Sequence, residues 1–468
     1  MTTPNILWIC SDQQRWDTIG ALGNPYVKTP HLDRLCREGT AFTHAFCQSP
    51  ICTPSRSSFL TGLYPSTVHG CRNGNDMWAE GAELLPKTLR DGGGYDCGLS
   101  GKLHLAGAHH RFEPRPEDDG YRVFAWSHSP RNDWGPTHAY AQWVKAKGQD
   151  LGQLEAAAEA VPAQYHQTTF CTDVAVDFMR AERAGPWLMC VNMFDPHAPF
   201  DPPADYLAHF DPAALPGPHF QESDLAAQAE LTDIDFQTRS QRPTECRAHE
   251  LQAAYYAMIE LIDDNVGRLL DTLEETGQRE NTIVVFTSDH GEMLGDHGLV
   301  LKGCRFYEGL VRVPLIWSWP GHVEEGMASS ALVELTDIAP TLLDFAGVDP
   351  AHEMQGRSLA PLLTGALPAD HHRDYVRAEY YSALNATTTG KGSGQGTYAT
   401  MLRTVRYKLV NYHGFEHGEL FDLETDPWEF KNLWHDPAFA DLRFRLMQQN
   451  FDALAFAVDP GTPQITYY

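Results

Sequence analysis

Cys52-Thr53-Pro54-Ser55-Arg56 runs into Leu60-Thr61-Gly62. A cysteine in such a place can be a buried apolar side chain, half of a disulfide, a nucleophile, or the precursor of another group. Arg56 adds a permanent positive charge that a nucleophile or an anionic substrate can use. Four other segments share a design: an apolar run stops and polar side chains follow at once. "NILWIC" is followed by Ser11, Asp12 and Gln13, and "CGLSG" by Lys102 and His104. "PWLMCVNMF" is followed by Asp195 and His197, and "TIVVFTS" by Asp289 and His290, with Lys302 further on. Taken singly, each has an ordinary reading: the Asp as a turn or cap residue, the His or Lys as a solvated side chain. Together with Cys52 and Arg56 they describe one shared site, because open α/β sheets bind ligands beyond the carboxyl ends of their strands.

The donor set bounds the chemistry. Asp12, Gln13 and Asp289 offer oxygen and His290 offers nitrogen. Oxygen-rich ligation suits Ca²⁺, Mg²⁺ or Mn²⁺, and one imidazole shifts the balance toward Mn²⁺. A Cys/His zinc site is the competitor, but no cysteine spacing supports it, and His290 and His297 do not form His-Glu-x-x-His. There is no Gly-x-Ser-x-Gly elbow, "DGGGYDCG" is not a dinucleotide fingerprint, and no phosphate loop ends in Gly-Lys-Ser/Thr.

The elements that must position these residues alternate. "NILWIC" is a strand, and "TPHLDRLCREG" is a helix with Thr29 as N-cap, Pro30 first and Gly39 as its stop. "PSRSSFLTG" repeats that grammar, with Pro54 able to start a helix and Gly62 to end it. "LPKTLRDGGGYDCGLSGKLH" is a helix, a glycine break and a strand. Residues 250–277 form the longest amphipathic helix. Strands alternating with helices predict a large doubly wound, mostly parallel α/β sheet. After about residue 370, short alternating strands and a final helix predict a smaller α+β domain with antiparallel pairing, so the expected division is 1–370 and 371–468. Residues 105–165 and 196–245 are expected to be long functional loops, and 385–398 a flexible one.

The 468 residues suffice for such a core, and a net charge of −27 argues against nucleic acid or anionic membrane as partner. An anionic substrate therefore needs a locally basic pocket. The N-terminal residues have no signal-peptide pattern and no segment has the length of a membrane span. The ten scattered cysteines read as reduced, so the expected location is cytoplasmic and the Asn385-Ala386-Thr387 sequon carries no meaning.

Cys-x-Pro-Ser-Arg with Leu-Thr-Gly downstream closely resembles the signature of the type I, formylglycine-dependent sulfatases of the alkaline phosphatase superfamily. The resemblance extends over nearly the whole chain, through "NILWICSDQQRWD", "GKLH", "TIVVFTSDHGEMLGDHGLVLKG" and "GELFDLETDPWEFKNL". It implies an alkaline-phosphatase-like fold, and a Cys52 oxidised to Cα-formylglycine by a formylglycine-generating enzyme. It implies one divalent metal on Asp12, Gln13, Asp289 and His290, with Arg56 and Lys102 holding the nucleophile. His197 or Lys302 would protonate the leaving alcohol, and His104 would take the remaining hydroxyl proton so that sulfate departs. Asn73 is a candidate substrate contact, with a surface turn as its ordinary reading.

Gln13 and His290 stand where many family members carry Asp and Asn. This is similar to the subgroup containing phosphonate monoester hydrolases and choline-sulfatase-like enzymes. The Gly-Lys-x-His residues Lys102 and His104, which the phosphonate hydrolases lack, favour a sulfate ester, of a carbohydrate or an aryl alcohol. The alternatives are a phosphonate monoester or phosphodiester hydrolase at the same site, and a non-catalytic anionic-sugar binder with an unmodified Cys52. A homo-oligomer is the prior for assembly.

Overall fold

A computed structural model describes residues 3–75, 77–78, 82–108, 111–131, 134–135, 138–157, 160–384 and 396–458. The sequon and most of the 385–398 segment lie outside the described residues. The main sheet contains β1 (Asn5–Ser11), β2 (Thr40–Phe46), β3 (Asp96–Gly101), β4 (Val123–Trp126), β5 (Trp187–Asn192), β6 (Thr282–Ser288), β7 (Arg312–Ser318), and the short β8 (Met327–Ser329) and β9 (Val333–Glu334). Their spatial order is β4-β3-β5-β1-β6-β7-β2-β8, with β9 beside β2. The five strands from β4 to β6 are parallel; β7 is antiparallel to both β6 and β2. The sheet is therefore mixed on one side of β6 and parallel on the other.

Two-faced burial explains why β1, β5 and β6 are apolar without interruption. Side chains alternate between faces. Ile6, Trp8, Cys10, Ile283 and Val285 enter one apolar cluster, while Leu7, Ile9, Val284 and Phe286 enter the cluster on the opposite face. The second face is covered by the helices Gln167–Arg180 and Ala248–Glu275, whose apolar residues Phe170, Ala175, Ile262, Val266 and Leu269 join that cluster.

The first three helices along the chain are α1 (Pro30–Arg37), α2 (Cys52–Thr61) and α3 (Leu85–Gly93). Gly62 closes α2 at φ 70°, donating its N–H to Ser58 O. Two details differ from the sequence reading. The helix begins at Cys52, so Pro54 stands third, where its missing N–H is one of those left free by any helix N-terminus. And α1 ends at Arg37 with Glu38 as its C-cap, while Gly39 serves a different need: a Cβ there would lie 2.1 Å from Trp317 O of β7.

A second sheet is antiparallel, in the order β10 (Tyr375–Tyr381), β11 (Tyr398–Thr404), β12 (Tyr407–Tyr412), β13 (Gly418–Asp422). The helix Ala440–Phe456 follows it. Val376, Met401, Val410 and Phe421 belong to the same apolar cluster as Phe46 and Leu315 of the main sheet, so the two sheets share one core. The stretch expected to be loop over 105–165 contains the edge strand β4 and the short helices Ala139–Ala146 and Leu151–Ala156. Among the described residues, no helix is long and apolar enough to cross a membrane.

Candidate active site

The helix α2 carries polar residues along its length, yet all ten are buried. Its hydroxyls make this affordable by bonding within the helix: Ser57 Oγ donates to Thr53 O and Thr61 Oγ1 to Ser57 O, both at 2.7 Å. Ring packing fixes it to the sheet, with Phe59 edge-on to Trp8 of β1 at 5.2 Å between centroids. The N-cap residue is Ile51, whose side chain cannot cap. Asn73 substitutes from another turn, its Oδ1 accepting the Thr53 N–H at 2.9 Å. Asn73 thus touches the residue next to Cys52, and its carbonyl oxygen is committed to the backbone there.

Cys52 is the first residue of α2, where the helix dipole favours negative charge. Its Sγ lies 2.8 Å from Lys302 Nζ, 3.1 Å from His290 Nε2, 3.5 Å from Lys102 Nζ and 3.7 Å from Asp12 Oδ1. Burial opposes ionisation of this thiol, but Lys102, Lys302 and His290 outweigh it and hold the thiol well below its ordinary pKa. Burial raises the other thiols, as at Cys47 and Cys304. None of the ten cysteines is in a disulfide.

The strand ends meet around that sulfur. Asp12 follows β1, and Lys102 Nζ donates to its Oδ2. Burial and Cys52 push the Asp12 carboxyl up, while Lys102, His197 and Arg56 hold it well below the usual range. Asp289 follows β6; its Oδ1 accepts the N–H groups of Gln13 and His290 at 3.0 Å, and its Oδ2 accepts from Arg56 Nε at 2.8 Å. Arg56 also donates to Lys102 O at 2.9 Å, so one guanidinium ties α2 to the ends of β3 and β6. His290 Nδ1 lies 2.9 Å from Gly291 O, which turns the ring's Nε2 toward the cluster.

His104, beyond β3, has φ 58°. Burial and the neighbouring Lys102 depress its pKa to about 4. His197, beyond β5, is half-buried; its ring packs on Phe194 at 4.6 Å and its Nδ1 meets Ala198 O at 2.6 Å. The Asp195 carboxylate turns elsewhere, to Thr168 Oγ1 and His166. Its backbone carbonyl accepts the Asp12 N–H at 3.0 Å.

Several residues that build this arrangement were missed by the sequence reading. Glu113, buried, accepts from the backbone N–H groups of His104 at 2.8 Å, Leu105 at 2.6 Å and Ala106 at 3.3 Å, and from Trp126 Nε1 at 3.0 Å. Tyr255 of the long helix donates to Gln13 O at 2.6 Å and accepts from Arg15 N at 2.9 Å, clamping the turn after β1. Glu292 accepts from Gln13 Nε2 and from the N–H groups of Leu294 and Leu301, closing the loop that returns to Lys302. His128 packs edge-on to His104 at 4.8 Å. Only Glu292, in the acidic run after Asp289, carried any local signal.

The donor set fits a hard cation. Ligand atoms of Asp12, Cys52, Asp289 and His290 all lie within 4.8 Å of one another, and Gln13 Oε1 is buried without a hydrogen-bond partner.

Compared with known proteins, residues 4–348 match the family model "Sulfatase", and residues 295–455 match that of the N-sulphoglucosamine sulphohydrolase C-terminal region. The chain belongs to the sulfatase family. Its relatives include an arylsulfatase of Clostridium perfringens, 30% identical over 92% of this chain and 90% of that protein. The N-acetylglucosamine-6-O-sulfatase of Bacteroides thetaiotaomicron is 27% identical over 95% of this chain and 85% of that one. The phosphonate monoester hydrolase of Agrobacterium radiobacter superposes with a TM-score of 0.85 at 26% identity, covering 99% of this chain and 98% of that one. The protein is therefore a sulfatase-family enzyme with the superfamily's α/β fold.

Proposed function

We propose that this sulfatase hydrolyses sulfate monoesters, with residue 52 matured to Cα-formylglycine and a divalent cation, Ca²⁺, Mn²⁺ or Mg²⁺, held by Asp12, Gln13, Asp289 and His290. The observation that carries the reading is the field at Cys52. Two lysine ammoniums and an imidazole lie within 3.5 Å of its sulfur and favour an anion there. That sulfur marks where an oxygen of the matured residue would stand. When present, the hydrated formylglycine supplies the attacking hydroxyl, and the cation supplies Lewis-acid polarisation. Lys102 and Lys302 hold negative charge at residue 52 and bind the sulfate group. Arg56 locks Asp289 against α2. His104, kept neutral, accepts a proton from residue 52, and His197 or Lys302 gives one to the departing alcohol.

The relatives' names support a sulfated sugar or an aryl sulfate as substrate. A second reading, phosphonate monoester hydrolysis at the same site, is supported by the superposition on the Agrobacterium enzyme. The test is a side-by-side rate assay with an aryl sulfate and an aryl phosphonate, on protein made with the formylglycine-generating enzyme and checked by mass spectrometry of the residue-52 peptide. We expect an aldehyde mass and a faster sulfate rate. A dominant phosphonate rate selects the second reading. An intact thiol in fully active protein sinks the formylglycine mechanism.

A further inference from the structure

No spacing of cysteines and histidines along this chain makes a zinc motif. Folding supplies the proximity that spacing does not. Cys52 Sγ lies 3.1 Å from His290 Nε2 and 3.7 Å from Asp12 Oδ1. His290 Nε2 lies 3.9 Å from Asp12 Oδ1 and 3.8 Å from Asp289 Oδ1. A tetrahedron with a Zn–S bond of about 2.3 Å and Zn–N and Zn–O bonds of about 2.0–2.2 Å has edges of about 3.3–3.7 Å. The four separations, from 3.1 to 3.9 Å, bracket that range. All four residues are buried. Their outer contacts are those of ligands already held in place. His290 Nδ1 meets Gly291 O, and two backbone N–H groups fix Asp289 Oδ1.

We propose that the chain in which residue 52 is still cysteine binds a thiophilic cation, Zn²⁺ above all, through Cys52, His290, Asp12 and Asp289. Maturation of residue 52 then converts the same place into a site for a hard cation. The inference rests on the cation site assigned above but concerns the chain before maturation. Its physical basis is ligand softness. A thiolate sulfur selects zinc over calcium or magnesium, which prefer oxygen. Lys102, Lys302 and Arg56 crowd the site with positive charge, so a cation there needs a strong bond to at least one ligand. The thiolate provides that bond for Zn²⁺ and not for Ca²⁺. Lys302 Nζ, 2.8 Å from the sulfur, donates to it from outside the ligand set. Replacing the sulfur by the oxygens of formylglycine removes the soft ligand. What remains is the carboxylates, the Gln13 amide oxygen and one imidazole, the set that suits a harder ion.

Co²⁺ reports such a site. Its visible bands separate four-coordinate from six-coordinate ligation, and a thiolate ligand adds a charge-transfer band in the near ultraviolet. The experiment is a Co²⁺ titration of the full chain made without the formylglycine-generating enzyme, after mass spectrometry shows an intact thiol at residue 52. Cys52→Ser and the matured protein are titrated beside it. In the cysteine chain we expect intense four-coordinate bands and a charge-transfer band. Stoichiometric Zn²⁺ should erase both, and about a hundredfold excess of Ca²⁺ should leave them. Cys52→Ser and the matured protein should lack the charge-transfer band; the matured protein is the folded control if the serine variant does not fold. A charge-transfer band that persists in Cys52→Ser belongs to another thiol and overturns the proposal. Six-coordinate bands without charge transfer in the cysteine chain, or displacement by Ca²⁺ as readily as by Zn²⁺, overturn it too. A matured protein that binds no divalent cation, beside a cysteine chain with the expected spectrum, removes the cation from the proposed function and leaves this inference standing.

Discussion

At the residue scale the site depends on side chains held in fixed protonation states. His104 is neutral because burial and Lys102 both disfavour its imidazolium, and its pKa falls to about 4. The proton-accepting form is the neutral one, so activity should appear as pH rises through about 4 and show no ascending limb at the ordinary histidine value of about 6.5. A kcat–pH profile checks this; an ascending limb near 6.5 would remove His104 as the base. Its orientation rests on Glu113, whose carboxylate gathers the N–H groups of residues 104–106. Glu113→Gln should cost about 10–100-fold in kcat with little change in KM, because it loosens the base and not the sulfate contacts. An equal rise in KM would assign Glu113 to the fold alone.

At the scale of elements, the decisive contact is between β3 and β5. Gly101 ends β3 at φ 99°, and a Cβ on it would lie 1.9 Å from Asn192 O. That same carbonyl accepts the Lys102 N–H at 3.0 Å, and Asn192 Nδ2 donates to Lys102 O at 2.8 Å. Gly101→Ala therefore combines a left-handed backbone with a backbone clash at the residue beside Lys102. The strands must part, and a displacement near 1 Å is enough to lower kcat about a hundredfold. The expected result is a folded, less heat-stable protein that turns over poorly. Wild-type kcat in this variant would show that β3 does not set the position of Lys102.

For the molecule as a whole, the joint between the sheets is electrostatic as well as apolar. Glu308, buried, sits among Lys408 at 2.7 Å and Arg403 and Arg312, each at 3.4 Å. Lys408 also meets Glu429 at 2.7 Å. Burial pushes the Glu308 carboxyl up, but Arg403, Lys408 and Arg312 prevail and hold it far below the ordinary range. A depressed carboxylate contributes stability that is present above its unfolded value of about 4.3 and is lost as pH falls toward the folded value. Removing one member of a buried ionic group leaves the others uncompensated, so Glu308→Gln should destabilise by about 3–5 kcal/mol at neutral pH. The gap to wild type should narrow on acidification below about pH 4. Thermal melts at several pH values test both statements; a constant gap would mean that Glu308 is not ionised in the fold.

What the sequence determined by itself was whatever local pattern enforces. Uninterrupted apolar runs must be strands buried on two faces, so β1, β5 and β6 could be read directly. The polar residues just beyond them, with Cys52 and Arg56 at the head of a helix, named a site before any contact was known. Local pattern does not carry partnership. Nothing near Glu113 says that it will collect three amides around His104, and nothing in the long helix marks Tyr255 as the clamp on Gln13. Asn73 resembles a turn residue until the backbone brings it to the uncapped start of α2. The antiparallel placement of β7 was equally hidden, since its composition matches that of its parallel neighbours. These outcomes come from tertiary packing because a buried N–H or carboxylate must find a partner, and only the folded chain decides which distant residue is within reach.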